Sequence, residues 1–299
     1  MKKTLPITDR GQVKDQVYPE KIVSLSPSNT EILFAIGAGS KVVGVTDYCN
    51  YPPHLKTLIE SDDIQTVGGY WNHSIQSIMT LEPDLVVIST LKCTNKMNMC
   101  KVDCGLRCEI NTRIANQLEK LGVDVLTIAP HSMDEVLNNI LLIGEVTGNS
   151  VEAGNLVKKL KKRIASIVVP SKSRTKAPGV YFEVWNNPYM TVNSRTWIGD
   201  LIILTGGINV FGKETSEWPI IQSEEVVERN PDIIFFPVIP DVPRFWESFE
   251  AVKRRPEWEN IDAVRNKRLY EIPRDLISRP GPRLVEALEI MANAIHPSS

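Results

Sequence analysis

Four cysteines, Cys93, Cys100, Cys104 and Cys108, stand in a C-x6-C-x3-C-x3-C pattern. On a helix the last three would share one face at i, i+4 and i+8. Four thiols held this close support three chemistries: two disulfides in an oxidising compartment, a four-thiolate zinc or iron–sulfur site in a reducing one, or unpaired thiols. Three cysteines on one helical face cannot all pair with one another without bending the helix. The fifth, Cys49, stands apart beside Tyr48; packing or lining a cleft is expected of it, with metal coordination as the alternative.

A second set of residues suits the binding of a large, partly apolar ligand, which needs flat hydrophobic walls and a few polar anchors. Seven aromatics fall at expected corners between elements: Tyr48 and Tyr51 in Asp-Tyr-Cys-Asn-Tyr-Pro-Pro, Tyr70 and Trp71 after Gly68-Gly69, Trp185 before Asn186-Asn187, Trp197 in Ser-Arg-Thr-Trp and Trp218 in Glu-Trp-Pro. Core packing is the plain alternative for any one of them. Asn187 and Arg279 supply polar groups near the same corners. Arg279 precedes Pro-Gly-Pro, and its guanidinium suits an amide carbonyl, phosphate or carboxylate; an ion pair with Asp275 or Glu271 is the alternative use.

The elements that must position these groups alternate. Ile22–Leu25, Val42–Val45, Leu85–Ser89 and Val123–Ile128 read as buried strands separated by helical stretches, the pattern of a parallel α/β sheet. At the first strand's end Pro27 stops the ladder, and Ser28-Asn29-Thr30-Glu31 matches an S-x-x-E capping box that starts a helix. The corner Ser26-Pro27-Ser28-Asn29 therefore brings hydroxyls and helix N–H groups to a strand's carboxyl end, where open α/β sheets bind ligands. From Glu145 to Ile167, Leu156, Leu160, Ile164 and Ile167 recur at helical spacing, which predicts one long helix. The basic run Lys158 to Arg163 lies around that stripe and reads as a solvated face. A second alternating pattern follows, with strands at Val180–Val184 and Ile233–Phe236 and a final helix over Pro282–Ile295. The expected division is an amino-terminal α/β lobe over 1–144 carrying the cysteine insert 93–108, a connecting helix over 145–168 and a carboxyl-terminal α/β lobe over 169–299. Two Rossmann-like lobes joined by one backbone helix, with the cleft between them, should close through a small motion, because a helix resists bending more than a pair of strands.

The 299 residues suffice for two cores, and 34 basic against 36 acidic side chains give a net charge of −2. That balance argues against nucleic acid as a partner. No apolar run approaches a bilayer span, and no apolar stretch of signal-peptide type follows Met1-Lys2-Lys3. There is no G-x-G-x-x-G after the first strand, no P-loop and no G-x-S-x-G, so no enzyme activity is expected.

The run Lys21–Gly37 continued by Val42–Pro53, together with Val67-Gly68-Gly69-Tyr70, Leu81–Val87, Thr205–Phe211 and Ser278–Arg283, resembles the cobalamin-binding proteins that feed ABC importers. These are helical-backbone periplasmic binding proteins, and the likeness runs from about Ile7 to His296. It implies a monomeric, extracytoplasmic receptor without a resident cofactor, handing cobalamin or a related corrinoid to membrane subunits. A cytoplasmic relative would have the same start. Carried over residue by residue, the ligand contacts are Ser26, Pro27, Ser28, Asn29, Tyr48, Trp218 and Arg279, and Tyr70 stands where the family often has tryptophan. The docking acids correspond to Glu225 in the second lobe and to Gln76 in the first, where a charge is missing that Glu82 or Glu31 would have to replace. A ferric siderophore or haem receptor is the second reading. A cysteine-cluster reductase is the third.

Overall fold

The computed structural model describes residues 17–70, 72–90, 107–168, 177–239 and 249–297. Trp71, Cys93, Cys100 and Cys104 lie outside the described residues, as does the side chain of Cys108, at the start of helix Arg107–Lys120.

Two parallel sheets carry the chain. The first runs, in spatial order, Gln65–Thr66, Val42–Val45, Ile22–Ser24, Leu85–Ser89 and Asp124–Ile128. The second runs Ile208–Asn209, Gly179–Phe182, Ile233–Val238 and Leu269–Pro273. Every residue of Leu85–Ser89 is buried, as is expected of a parallel strand covered on both faces. The period of two then sorts side chains between layers. Ile22, Leu85 and Val87 join one cluster, whereas Val23, Val86 and Ile88 join another on the opposite face.

The first of these clusters does not stop at the first sheet. It continues through helices Met133–Thr147, Ser150–Ile167 and Leu284–Ile295 to Val180, Phe182, Ile233 and Phe235 of the second sheet. The two lobes therefore share one apolar core. Relative lobe motion would have to shear that core, so the small closure expected from the connecting helix has a second physical cause.

The connecting helix differs from expectation at its start. Helix Met133–Thr147 ends at Gly148, whose φ of +81° is a left-handed stop that favours glycine, and a separate helix runs Ser150–Ile167. The segment from Glu145 is thus divided between two helices. Ala153, Val157 and Leu160 are buried on the second, while Lys158, Lys159, Lys161 and Lys162 are exposed, so the basic run is a solvated face.

The capping box expected at Ser28 does not form. The helix begins two residues before the start that box implies, at Pro27, with Ser26 as its extended N-cap, which makes no side-chain capping bond. Glu31 is drawn away by stronger partners: it is buried, and its carboxylate accepts from Arg279 and Arg283, beyond the second sheet.

Candidate functional site

A cleft of about 390 Å³ lies between the carboxyl-terminal edges of the two sheets. From the first lobe come Pro27 and Ser28, Tyr48, Tyr70, Ser89 and Thr90, and the turn ending at His131. The second lobe contributes Thr196 and Trp197, Glu217 and Trp218, and residues between Arg274 and Pro280. Each first-lobe group follows a strand, since a parallel sheet delivers all its chain exits to one edge.

The aromatic walls are built from two pairs of elements. Trp197 and Trp218 meet edge to face, ring centroids 5.2 Å apart, and the Trp197 indole N–H donates to the Ile277 carbonyl at 2.9 Å. That bond holds one wall rigid. Opposite it, burial pushes the Tyr70 phenol up to about 12, so it stays protonated throughout the physiological range. Tyr48 is 57% exposed and stands at the rim.

Behind Tyr70 lies His73, its ring centroid 6.5 Å from the tyrosine's. Burial pulls its pKa down to about 4, against smaller opposing effects of Asn111 and Asp47. The imidazole is therefore neutral at pH 7.

Several expected site residues serve other ends. Ser26 is buried, with its Oγ 2.9 Å from Ser89 Oγ, and Asn29 is buried with neither amide atom partnered among the described residues. Only Pro27 and Ser28 of that corner reach the cleft. Helix geometry turns Asn29 toward the core, which the sequence pattern of the corner did not reveal. Tyr51 lies under the Arg283 guanidinium, 3.9 Å from ring centroid to Cζ. Trp185 and Asn187 belong to a two-stranded ribbon away from the cleft wall; the Trp185 indole donates to the Asn187 carbonyl at 2.8 Å. Cys49 is buried, its Sγ 3.2 Å from the hydroxyls of Thr30 and Thr46, and burial raises its pKa. It packs rather than lining the cleft.

Arg279 reaches the cleft, but as an ion-paired group. Nη1 donates to Glu31 at 3.1 Å and Asn50 at 2.6 Å, and Nη2 lies 2.9 Å from Asp275 and donates to the Tyr48 carbonyl at 3.3 Å. Glu31, rather than Glu271, completes the pair foreseen with Asp275. Arg283 adds bonds to Glu31 at 2.6 and 2.8 Å. At the Pro-Gly-Pro turn a Cβ at Gly281 would lie 3.4 Å from the Ser28 carbonyl oxygen, an ordinary contact distance, so the two lobes touch there.

Among the cleft groups that sequence reasoning missed are Ser89, His131 and Glu217. Ser89 ends a strand whose apolar run drew attention away from its last residue. His131 follows Pro130 in the turn before a helix capped by Ser132, and Glu217 precedes Trp218; neither belongs to a motif. His131 Nδ1 stands 3.5 Å from Glu217 Oε1 across the cleft. Burial raises the Glu217 pKa, with His131 and Arg195 opposing it. Among the described residues no group of three or more His, Cys, Asp or Glu is arranged to hold a metal ion, and no helix is long and apolar enough to cross a membrane.

Comparison with known proteins sharpens the picture. The chain is 32% identical over 285 residues to the uncharacterized ABC transporter substrate-binding lipoprotein YvrC of Bacillus subtilis, covering 94% of this chain and 81% of that one. It is 24% identical over 275 residues to the vitamin B12-binding protein of Vibrio cholerae, covering 90% and 87%. Among solved structures, a possible iron-binding periplasmic solute-binding protein from Staphylococcus epidermidis superimposes with a TM-score of 0.75 at 26% identity, covering 94% and 100%. A periplasmic haem-binding protein from Roseiflexus shares the fold with a TM-score of 0.72 at 22% identity, covering 93% and 99%. The sequence model of the periplasmic binding proteins matches residues 22–276, which span both sheets, and this chain belongs to that family.

Proposed function

We propose that this protein captures cobalamin or a related corrinoid outside the cytoplasm and delivers it to the membrane subunits of an ABC importer. The observation that carries the reading is the cleft, in which Trp197, Trp218, Tyr70 and Tyr48 form broad aromatic walls around a few polar groups. Its volume falls at the lower end of the roughly 300–1,000 Å³ range of small-molecule sites. A cleft of that size can grip part of a macrocycle and leave the remainder at the mouth. The vitamin B12-binding relative, aligned over 90% of this chain, supports the ligand class, and the lipoprotein relative supports the location and the transporter. Within this reading, one lobe precedes the connecting helix and the other follows it, and the receptor acts as a monomer.

Docking would use outer helices. Gln76 is exposed on helix Ile75–Thr80. Glu225 spends one carboxylate oxygen on the N-cap amide of Gln222, at 2.7 Å, and exposed Glu224 stands beside it. Glu31 is buried and Glu82 pairs with Lys21 at 3.2 Å, so neither stands as a free replacement for the missing first-lobe charge. A haem or ferric chelate is the second reading, favoured by the possible iron-binding protein and the haem-binding protein of the same fold.

Calorimetric titration with cyanocobalamin, haemin and a ferric siderophore tests the proposal. One-to-one corrinoid binding tighter than either comparator is expected. Haemin or siderophore binding without corrinoid binding would move the function to iron uptake.

A further inference from the structure

The charges around the cleft are of two kinds. Arg279 faces it with both terminal nitrogens engaged by Glu31, Asn50, Asp275 and the Tyr48 carbonyl, so its charge is already matched. Glu217 lines the same cleft and is 8% exposed, yet among the described residues its carboxylate accepts no hydrogen bond. His131 lies 3.5 Å away, beyond a good hydrogen bond and with a charge only when the imidazole is protonated, and the Arg195 guanidinium, whose charge also reaches Glu217, donates instead to the Thr215 carbonyl. A carboxylate with this little exposure gains from donors. A donor can come from whatever occupies the cleft.

Macrocyclic chelates divide on this point. The periphery of a corrinoid carries primary carboxamides, whose N–H groups donate to a carboxylate. Haem carries two propionates, which would set negative charge against Glu217 in a poorly solvated site. We propose that Glu217 is the specificity-determining residue of the cleft, accepting a carboxamide N–H of the ligand and rejecting macrocycles that present a carboxylate at that position. The inference rests on reading the cleft as a site for a macrocyclic chelate. Burial lifts the Glu217 pKa, as expected of a carboxylate that lacks donors until a ligand arrives.

The test compares cyanocobalamin with its monocarboxylic acids, in which one peripheral carboxamide is replaced by carboxylate and the shape is nearly unchanged. Binding is measured to wild type, Glu217→Gln and Glu217→Asp, with circular dichroism checking each fold. Wild type should bind cyanocobalamin at least about tenfold more tightly than one of the acids, the discrimination a charged hydrogen bond supplies. Glu217→Gln should cut that ratio to about threefold or less, and Glu217→Asp should retain the preference. Equal affinity of wild type for amide and all acids, or a ratio untouched in Glu217→Gln, overturns the inference while leaving the corrinoid reading intact. If no corrinoid binds, that reading fails, and haemin against its dimethyl ester decides the inference by the same ratios. Binding of neither macrocycle overturns both.

Discussion

The two lobes meet across the cleft at two charged contacts built on opposite terms. At one end Glu31 is nearly enclosed and receives bonds from Arg279 and Arg283, with Asn50 donating to Asp275 at 3.1 Å and Tyr51 lying against Arg283. At the other, Glu217 has His131 at 3.5 Å and the nearby charge of Arg195, and among the described residues its carboxylate accepts no hydrogen bond. Both carboxylates are largely removed from water, but only the first has the donors that removal demands. A saturated contact holds lobes together; an unsaturated one is available to a ligand. The same residue type therefore has a structural role at one end and a recognition role at the other, and the number of donors decides which.

Breaking the saturated end should give the largest effect. Glu31→Ala leaves two mostly buried guanidinium groups without their shared partner and should lower stability by about 3–5 kcal/mol in urea denaturation. A cost below about 1 kcal/mol would mean that water replaces Glu31 and that the contact is not structural.

The cleft side is sharpened by His73, which sits buried behind the Tyr70 wall. In the unfolded chain this imidazole titrates near 6.5, whereas burial holds the folded one to about 4. Between those values the unfolded state binds more protons, so stability falls as pH drops from 6.5 toward 4. The loss should reach up to ~3 kcal/mol. Denaturation curves of wild type and His73→Phe across that range should differ in their acid dependence, and parallel curves would place the proton uptake elsewhere.

Trp218→Ala removes one aromatic wall without touching either charged contact. Corrinoid affinity should weaken by more than ~1 kcal/mol, read by calorimetry. Unchanged affinity would exclude Trp218 from the ligand's footprint. The smallest effect belongs to Trp185→Ala: its ring lies on the ribbon away from the wall, so both binding and stability should change by less than ~0.5 kcal/mol. A large loss of affinity there would restore the wider aromatic surface suggested by the sequence.

Much of the architecture was legible because it depends on local periodicity. Val42–Val45 and Leu85–Ser89 are strands at the expected residues, and the final helix starts only two residues later than expected, at Leu284. A parallel strand covered on both faces leaves an unbroken apolar run, which is visible without any knowledge of its neighbours. The helix starting near Glu145 was misread because Leu156 through Ile167 carry the stripe whichever residue begins it, and the stop at Gly148 is a single conformational choice.

The cleft was legible in part. Tyr48, Tyr70, Trp197 and Trp218 were found because aromatics at strand and loop ends are conspicuous, whereas Tyr51 and Trp185 have the same appearance in sequence and other neighbours in space. What the chain determined by itself was the alternation of strands and helices, the two parallel sheets and the family to which they belong, since those follow from patterns a few residues long. Only the tertiary structure decided that Glu31 is held by two arginines while Glu217 is not. Donors separated from Glu31 by 248 and 252 positions converge on it through the packing of two lobes, and no local pattern encodes that convergence.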